Sequence, residues 1–300
     1  MLMKNYIKFI FLCALVFFIG GRSALRAQQL KYDDYSQYQS KFLKSLKSGG
    51  GLTSFTSMRT LKAGVATVEE NTLVSVPLVH GKKKEAKMEQ IVQERRASVP
   101  LIWKYVPETT QSDKVITFAS AIVLSSDGIC ATNYHVVRNI VEKSYKLGSG
   151  DSILFVSIGE KIYPITNILS YNKTADMALI RIGVGKDVLV PFPVGNDLAA
   201  GSPVNTFTHV AGYLNYYTRG VVARNFASDG NDPFTNRMEI TAEYAKGSSG
   251  GAIFDDYGNL VAMVSNTTSV YYMDNPQINL QMVNRQTIPI SSILKLIKQN

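Results

Sequence analysis

Residues whose types and spacing could carry chemistry gather in Gly247-Ser248-Ser249-Gly250-Gly251. A serine hydroxyl is a poor nucleophile. It needs an exposed position, a base within hydrogen-bond reach and backbone N–H groups able to hold an oxyanion. Glycines on both sides supply the backbone freedom for such a turn and let another chain approach closely. The pentapeptide alone reads equally well as a flexible Gly/Ser loop, so the base decides between the two. The chain has three histidines, His80, His135 and His209, and all precede Ser249.

That order excludes the G-x-S-x-G nucleophile elbow of α/β-hydrolases, whose histidine follows the serine. Two orders remain, His, Asp, Ser and Asp, His, Ser. His135 closes the stretch from Ala121 to Val137, which reads as an apolar strand, an Asp127-Gly128 turn and a second strand that runs out at the histidine. Asp176 opens another apolar strand, Met177 to Ile182. A carboxylate there could accept the Nδ1 proton of an imidazole and fix its tautomer. His209 is the rival base, because Asp176, His209 and Ser249 would give the second order. Its flanks carry no such motif and the chain lacks an alternating α/β pattern, so His209 is expected near the substrate pocket or without a role.

The segments ASAIVLSSDGICATNYHVV, NKTADMALIRI and AKGSSGGAIFDDYGNLVAMVSN resemble the histidine, aspartate and serine motifs of chymotrypsin-like (trypsin-fold) serine proteases, nearest the bacterial HtrA/Deg-type branch. The resemblance covers roughly Ala97 to Asn300. It implies that His135 is the general base, Asp176 its orienter and Ser249 the nucleophile, with the backbone N–H groups of Gly247 and Ser249 as the oxyanion hole. It implies an all-β fold of two six-stranded antiparallel Greek-key barrels with the cleft between them, and protein or peptide substrates cleaved through an acyl-enzyme. Glu243 stands six positions before Ser249, where this fold places the floor of the S1 pocket. A buried acid there would select Lys or Arg at P1; the other reading has Glu243 pointing away or paired with a lysine such as Lys246. Ser248 occupies the place of the aspartate that pairs with a new N-terminus in trypsin-type zymogens, so activation by that route is not expected. The residues after Ser249 are too few to finish the second barrel and add a PDZ domain, so regulation through such a domain is not expected either. A different class of function stays open: a catalytically silent trypsin-fold protein that binds peptides or partners.

The elements that must position these groups follow from patterning. From Ala97 onward short strands alternate with turn signals, as in an all-β barrel or sandwich. A first barrel is expected over about 97–195, with a hairpin turning at Gly159-Glu160 and an extended Val188 to Val194 at its end. A second barrel is expected over about 200–288, with strands Ser269 to Met273 and Leu280 to Arg285 late in it, and a C-terminal amphipathic helix over about 291–298. Residues 28–96 form an N-terminal extension in which Asp33 to Lys47 and about Lys84 to Arg96 have helical spacing. A pro-segment, a partner-binding arm and a poorly ordered extension are all compatible with it.

Composition narrows the class. A chain of 300 residues with 45% hydrophobic and 18% charged residues is ordinary for a globular protein of one or two domains. Residues 1–27 read as a signal peptide: Lys4 and Lys8, an apolar run from Phe9 to Ile19, then small residues up to Ala27. Export to the periplasm or the exterior is therefore expected, with no stable membrane span after cleavage; an uncleaved anchor is the other reading of the segment. The net charge of +9 falls by four when that segment leaves, and the only dense basic run, Lys82-Lys83-Lys84, is followed by Glu85; no nucleic-acid site is expected. Cys130 is the one cysteine outside the signal and is expected as a small buried apolar residue. No metal or cofactor motif is present, and composition does not bear on oligomeric state.

Overall fold

The computed structural model describes residues 32–48, 51–108, 112–147, 151–210 and 212–299. The expected signal peptide, 1–27, lies outside the described residues. Seven strands build the first half: β1 Leu101–Val106, β2 Lys114–Ser120, β3 Ile122–Val123, β4 Ile129–Thr132, β5 Ile153–Ile158, β6 Lys161–Asn172 and β7 Met177–Ile182. Their order is β2-β1-β5-β6-β7-β4-β3, antiparallel throughout. Only Ala121 separates β2 from β3, yet the two lie at opposite ends of that order. One bent segment, Lys114 to Val123, therefore closes the sheet on itself and gives six strands to the barrel. Alternation fills it: Ile102, Val123, Leu154, Val156, Ile165 and Ile180 point inward and are buried.

The second half is a closed six-stranded barrel in the order β10-β13-β12-β11-β8-β9. Its strands are β8 Pro203–Val210, β9 Tyr213–Ala227, β10 Asn236–Ile240, β11 Ala252–Phe254, β12 Leu260–Met273 and β13 Ile278–Pro289. Val204, Val222, Ile240, Ile253, Val261 and Val264 form its interior. A third apolar cluster spans both halves, joining Ile122, Leu124 and Leu179 to Phe207, Phe254 and Met263. Burial of that seam fixes one barrel against the other, because native packing density leaves no room for sliding. The fold is the all-β, two-barrel architecture expected from the motifs.

Particular elements differ from expectation. β12 and β13 are one long hairpin, paired without interruption of the strands as far as Met273↔Ile278, where two shorter strands are expected. Thr267 and Thr268 pair with Arg285 and Asn284 inside that hairpin, where β-branched residues suit a paired strand. The stretch Val188 to Val194 is extended without forming a strand; its N–H groups at Leu189, Phe192 and Val194 donate to the carbonyls of Ser126, Val123 and Val79. The C-terminal helix is shorter than 291–298 and covers Ile290–Leu294. Beyond it Val74 N–H donates to Leu296 C=O and Lys298 N–H to Val74 C=O, so pairing with an earlier segment ends the helix.

Among the described residues four α-helices precede that one: α1 Tyr38–Lys47, α2 Met58–Gly64, α3 Met88–Arg95 and α4 Tyr134–Val141. Phe42 and Leu46 of α1 are buried among Trp103, Val115 and Phe155 on the first barrel. Met58 and Leu61 of α2 enter the first barrel's own cluster, and Ile91 of α3 enters the seam.

Candidate active site

His135 sits in the first turn of α4, directly after β4. The helix exists because Val136, Val137, Ile140 and Val141 bury one face against the first barrel. That burial leaves the His135 side chain 45% exposed at the mouth of the cleft. Asn133, just before the helix, donates from Nδ2 to the Asp176 carbonyl at 2.9 Å. Asp176 itself has a φ of 56°, the left-handed region that Asp and Asn tolerate better than other non-glycine residues. Its N–H bonds the Lys173 carbonyl in the turn before β7, and Arg237 of the second barrel donates from Nη2 to the Thr174 carbonyl at 2.7 Å.

That backbone aims the carboxylate. Oδ2 lies 2.9 Å from His135 Nδ1, and Oδ1 accepts the backbone N–H of His135 at 3.0 Å. On the other side of the ring, Nε2 is 3.0 Å from Ser249 Oγ. An ionised carboxylate can only accept, so it takes the proton on Nδ1 and leaves the Nε2 lone pair facing the hydroxyl. Imidazole, carboxylate and hydroxyl are thus joined in one hydrogen-bonded series, 41 and 114 residues apart in the chain.

Ser249 is held by its own turn. Gly247 and Gly250 have φ of 96° and 79°, which strongly favour glycine. The Ser249 carbonyl accepts the N–H of Ser120 at 2.7 Å, and Thr132 Oγ1 donates to the Ser120 carbonyl at 2.9 Å. The N–H groups of Ser248, Gly250 and Gly251 donate to Ala245, Val264 and Ser248 carbonyls. Those of Gly247 and Ser249 have no protein acceptor among the described residues. Two neighbouring free donors beside a half-buried hydroxyl are what an oxyanion requires. Ser248 Oγ is buried and 3.1 Å from Thr208 Oγ1.

Residues 119–263 match the model of the trypsin-like peptidase domain. Over that stretch the chain is similar to trypsin-like peptidase domains. The chain is 29% identical over 170 residues to the anti-sigma-I factor RsgI9 of Acetivibrio thermocellus, over 56% of this chain and 21% of that one. It is 28% identical over 158 residues to the chloroplastic protease Do-like 1 of Arabidopsis thaliana, over 51% of this chain and 33% of the relative. The matched segment of this chain thus spans about a fifth and a third of the lengths of these two relatives. A solved structure, the HtrA-type protease AlgW with decapeptide, superposes with a TM-score of 0.53 over 70% of this chain and 66% of that one. At 15% identity that likeness shows a shared fold.

The remaining candidate residues are placed differently. Glu243 does not form a buried acidic floor. Its side chain is 72% exposed and its Oε1 lies 3.3 Å from Arg285 Nη2, so the conditions that would select a basic P1 residue, burial and a missing partner, are not met. Arg285 was not legible as a site residue, because it follows Glu243 by 42 positions and meets it only through strand pairing. His209 takes no part in the series with Ser249. It is buried, its Nδ1 accepts the Asn215 N–H at 3.1 Å, its Nε2 donates to the Val99 carbonyl at 3.0 Å, and it lines a separate cavity of about 270 Å³ with Tyr38 and Leu214. Burial pushes its pKa down to about 4. Cys130 is fully buried, and desolvation pushes its thiol up to about 12, so it serves as packing and not as a nucleophile. Among the described residues no group of three His, Cys, Asp or Glu could hold a metal ion, and no helix is long and apolar enough to cross a membrane.

Proposed function

We propose that the protein is a serine endopeptidase that hydrolyses peptide bonds through an acyl-enzyme on Ser249. The observation that carries this reading is the continuous series from the Asp176 carboxylate through the His135 ring to the Ser249 hydroxyl, with spacings of 2.9 and 3.0 Å. Ser249 Oγ attacks the scissile carbonyl carbon while His135 Nε2 takes the hydroxyl proton. The carbonyl oxygen becomes an oxyanion received by the N–H groups of Gly247 and Ser249. Asp176 stays ionised and stabilises the imidazolium. His135 then gives its proton to the leaving amine as the C–N bond breaks, which leaves an ester on Oγ. Water repeats the cycle: His135 takes its proton, the hydroxyl attacks the ester, and the proton returns to Oγ as the acid leaves.

Peptide or protein chains are the substrates this cleft suits, and the decapeptide of the AlgW structure supports that choice. We assign residues 97–300 to the peptidase domain, 28–96 to an N-terminal extension and 1–27 to an export signal leading to the periplasm or the exterior. An active-site fluorophosphonate, followed by peptide mapping, tests the chemistry. The label is expected on Ser249, absent in Ser249→Ala and nearly absent in His135→Ala, with new termini in a proteome-derived peptide mixture. Folded protein that takes no label and cuts no peptide would instead be a silent peptide binder of the same fold.

A further inference from the structure

A cavity of about 300 Å³ lies beside the turn that carries Ser249. Tyr213, Tyr216, Glu243, Tyr244, Ala245 and Arg285 line it. Ala245 links it to the nucleophile: its carbonyl accepts the Ser248 N–H at 3.1 Å, one residue before Ser249. Four chain steps of at most about 3.6 Å keep Ala245 within about 14 Å of Ser249, so this wall belongs to the same loop as the nucleophile.

The charge in that wall is held unequally. Arg285 stands on β13, between its partners Ile240 of β10 and Thr267 of β12. Its side chain is only 16% exposed. Nε donates to the Tyr244 carbonyl at 3.3 Å and Nη1 to the Val283 carbonyl at 3.1 Å, so backbone oxygens fix the plane of the guanidinium. Tyr244 is in turn locked, its hydroxyl donating to the Gln286 carbonyl at 2.7 Å with the Asn266 carbonyl 3.1 Å away. The only carboxylate on Arg285 among the described residues is Glu243, through one contact at 3.3 Å, and that side chain is 72% exposed. A pair with one mobile, solvated partner is weak and readily exchanged. A positioned guanidinium of five N–H donors, three of them engaged, keeps a fork for a better-placed carboxylate.

Resting on the protease reading above, we propose that Arg285 makes this an acid-selective endopeptidase, taking Asp or Glu at P1. The substrate carboxylate displaces Glu243 and pairs with Arg285 inside that pocket. Glu243 shields the guanidinium while the pocket is empty and competes with the substrate when it fills. An amide of the same shape cannot supply the charge, and a lysine or arginine at P1 would meet Arg285 head on.

The test is a set of internally quenched peptides that differ only at P1, carrying Asp, Glu, Asn, Gln, Ala, Val, Phe or Lys, assayed with the whole protein. Glu over Gln and Asp over Asn are expected by at least about tenfold in kcat/KM, the size of one charge-assisted bidentate pair. Glu243→Gln is expected to raise kcat/KM for the Glu peptide several-fold, since it removes the competitor. Arg285→Gln is expected to collapse the Glu/Gln ratio towards one. Because Arg285 also braces backbone carbonyls, Arg285→Lys and the wild-type panel carry the result if Arg285→Gln fails to fold. Capture of Ser249 by fluorophosphonate without a Glu-over-Gln preference overturns the acidic specificity alone. Neither capture nor cleavage overturns the protease reading and this one with it.

Discussion

Ser120 donates its backbone N–H to the carbonyl of Ser249 at 2.7 Å, so a strand of the first barrel holds the turn that carries the candidate nucleophile of the second. The contact needs close approach of two backbones, and the residue that permits it is Gly250. A Cβ built there would lie 2.1 Å from the Ser120 carbonyl oxygen and 2.7 Å from Thr132 Oγ1, at a φ of +79°. Neither obstacle is the far end of a flexible side chain.

Gly250→Ala is therefore expected to cost about 3–5 kcal/mol, the left-handed backbone contributing about 1–2 of it and the clash the rest. Where Gly250→Ala still folds, fluorophosphonate labelling of Ser249 should slow at least about tenfold, because the turn must shift. Gly230→Ala, where an added Cβ meets nothing within 4 Å, is the control and should change stability by less than about 0.5 kcal/mol. Equal urea midpoints for the two variants would show that the two backbones do not need to be this close.

Asp176 supports a sharper test, because its conformation and its charge can be separated. Asn tolerates a φ of 56° as Asp does, so Asp176→Asn keeps the turn and removes only the charge. An amide offers Nδ1 no fixed acceptor and allows the ring to take the wrong tautomer; kcat is expected to fall by about 10³–10⁴ with stability nearly unchanged. Asp176→Ala should lose comparable activity and in addition about 1 kcal/mol of stability. Combining His135→Ala with Ser249→Ala should cost no more than either alone, since the three groups act as a unit. Additive losses in that double variant would mean they do not.

The residues of the series were legible because each stands beside a local signal: Gly247 and Gly250 flank Ser249, Gly128 turns the chain towards His135, and a run of apolar residues follows Asp176. What surrounds them was not. The left-handed backbone of Asp176 is set by tertiary bonds from Asn133 and Arg237, which no local pattern announces. Helix α4 is too short to stand by periodicity, and forms because the first barrel covers its apolar face. The exposure of Glu243 and its partnership with Arg285 depend on β13 pairing with β10, a relation between segments 40 or more residues apart. Burial and pairing of charges are properties of the folded surface, so spacing along the chain suggested an acid in the pocket without revealing the base beside it.

His209 makes stability depend on mild acid. Both its bonds require the neutral ring with hydrogen on Nε2; protonation would put a second hydrogen on Nδ1, against the N–H of Asn215. Burial holds its pKa down to about 4, with the charge of Arg96 acting in the same direction, against 6.5 in the unfolded chain. Between those values the unfolded state binds more protons than the folded one, so stability falls as pH drops from about 6.5 to about 4 and the loss is complete below that. Its ceiling is about 3 kcal/mol. His209→Gln should flatten urea midpoints across this window relative to the parent protein, while both lose stability together below it as carboxylates such as Asp113, held down to about 2, begin to protonate. Parallel profiles between pH 6.5 and 4.5 would rule out His209 as the source.

Phe42 decides whether the N-terminal helix is part of the folded unit or an appendage. A ten-residue helix is marginal in water on its own, so α1 persists only through what it buries. Its Phe42 ring is 1% exposed and meets Trp103 edge-on at 5.2 Å and Phe155 at 6.2 Å, with Tyr38 of the same helix at 5.4 Å. Phe42→Ala removes the central ring of that group and is expected to cost about 3–4 kcal/mol of local stability. The loss should appear first where the helix docks: amides of residues 38–47 should lose hydrogen-exchange protection by about 100-fold or more, while β6 and β12 amides change less. Docking also places Tyr38 on the cavity that His209 lines, so the same variant should loosen protection around Asn215. If the amides of 38–47 stay as protected as those of β6 in Phe42→Ala, the aromatic contact is not what holds α1 to the first barrel.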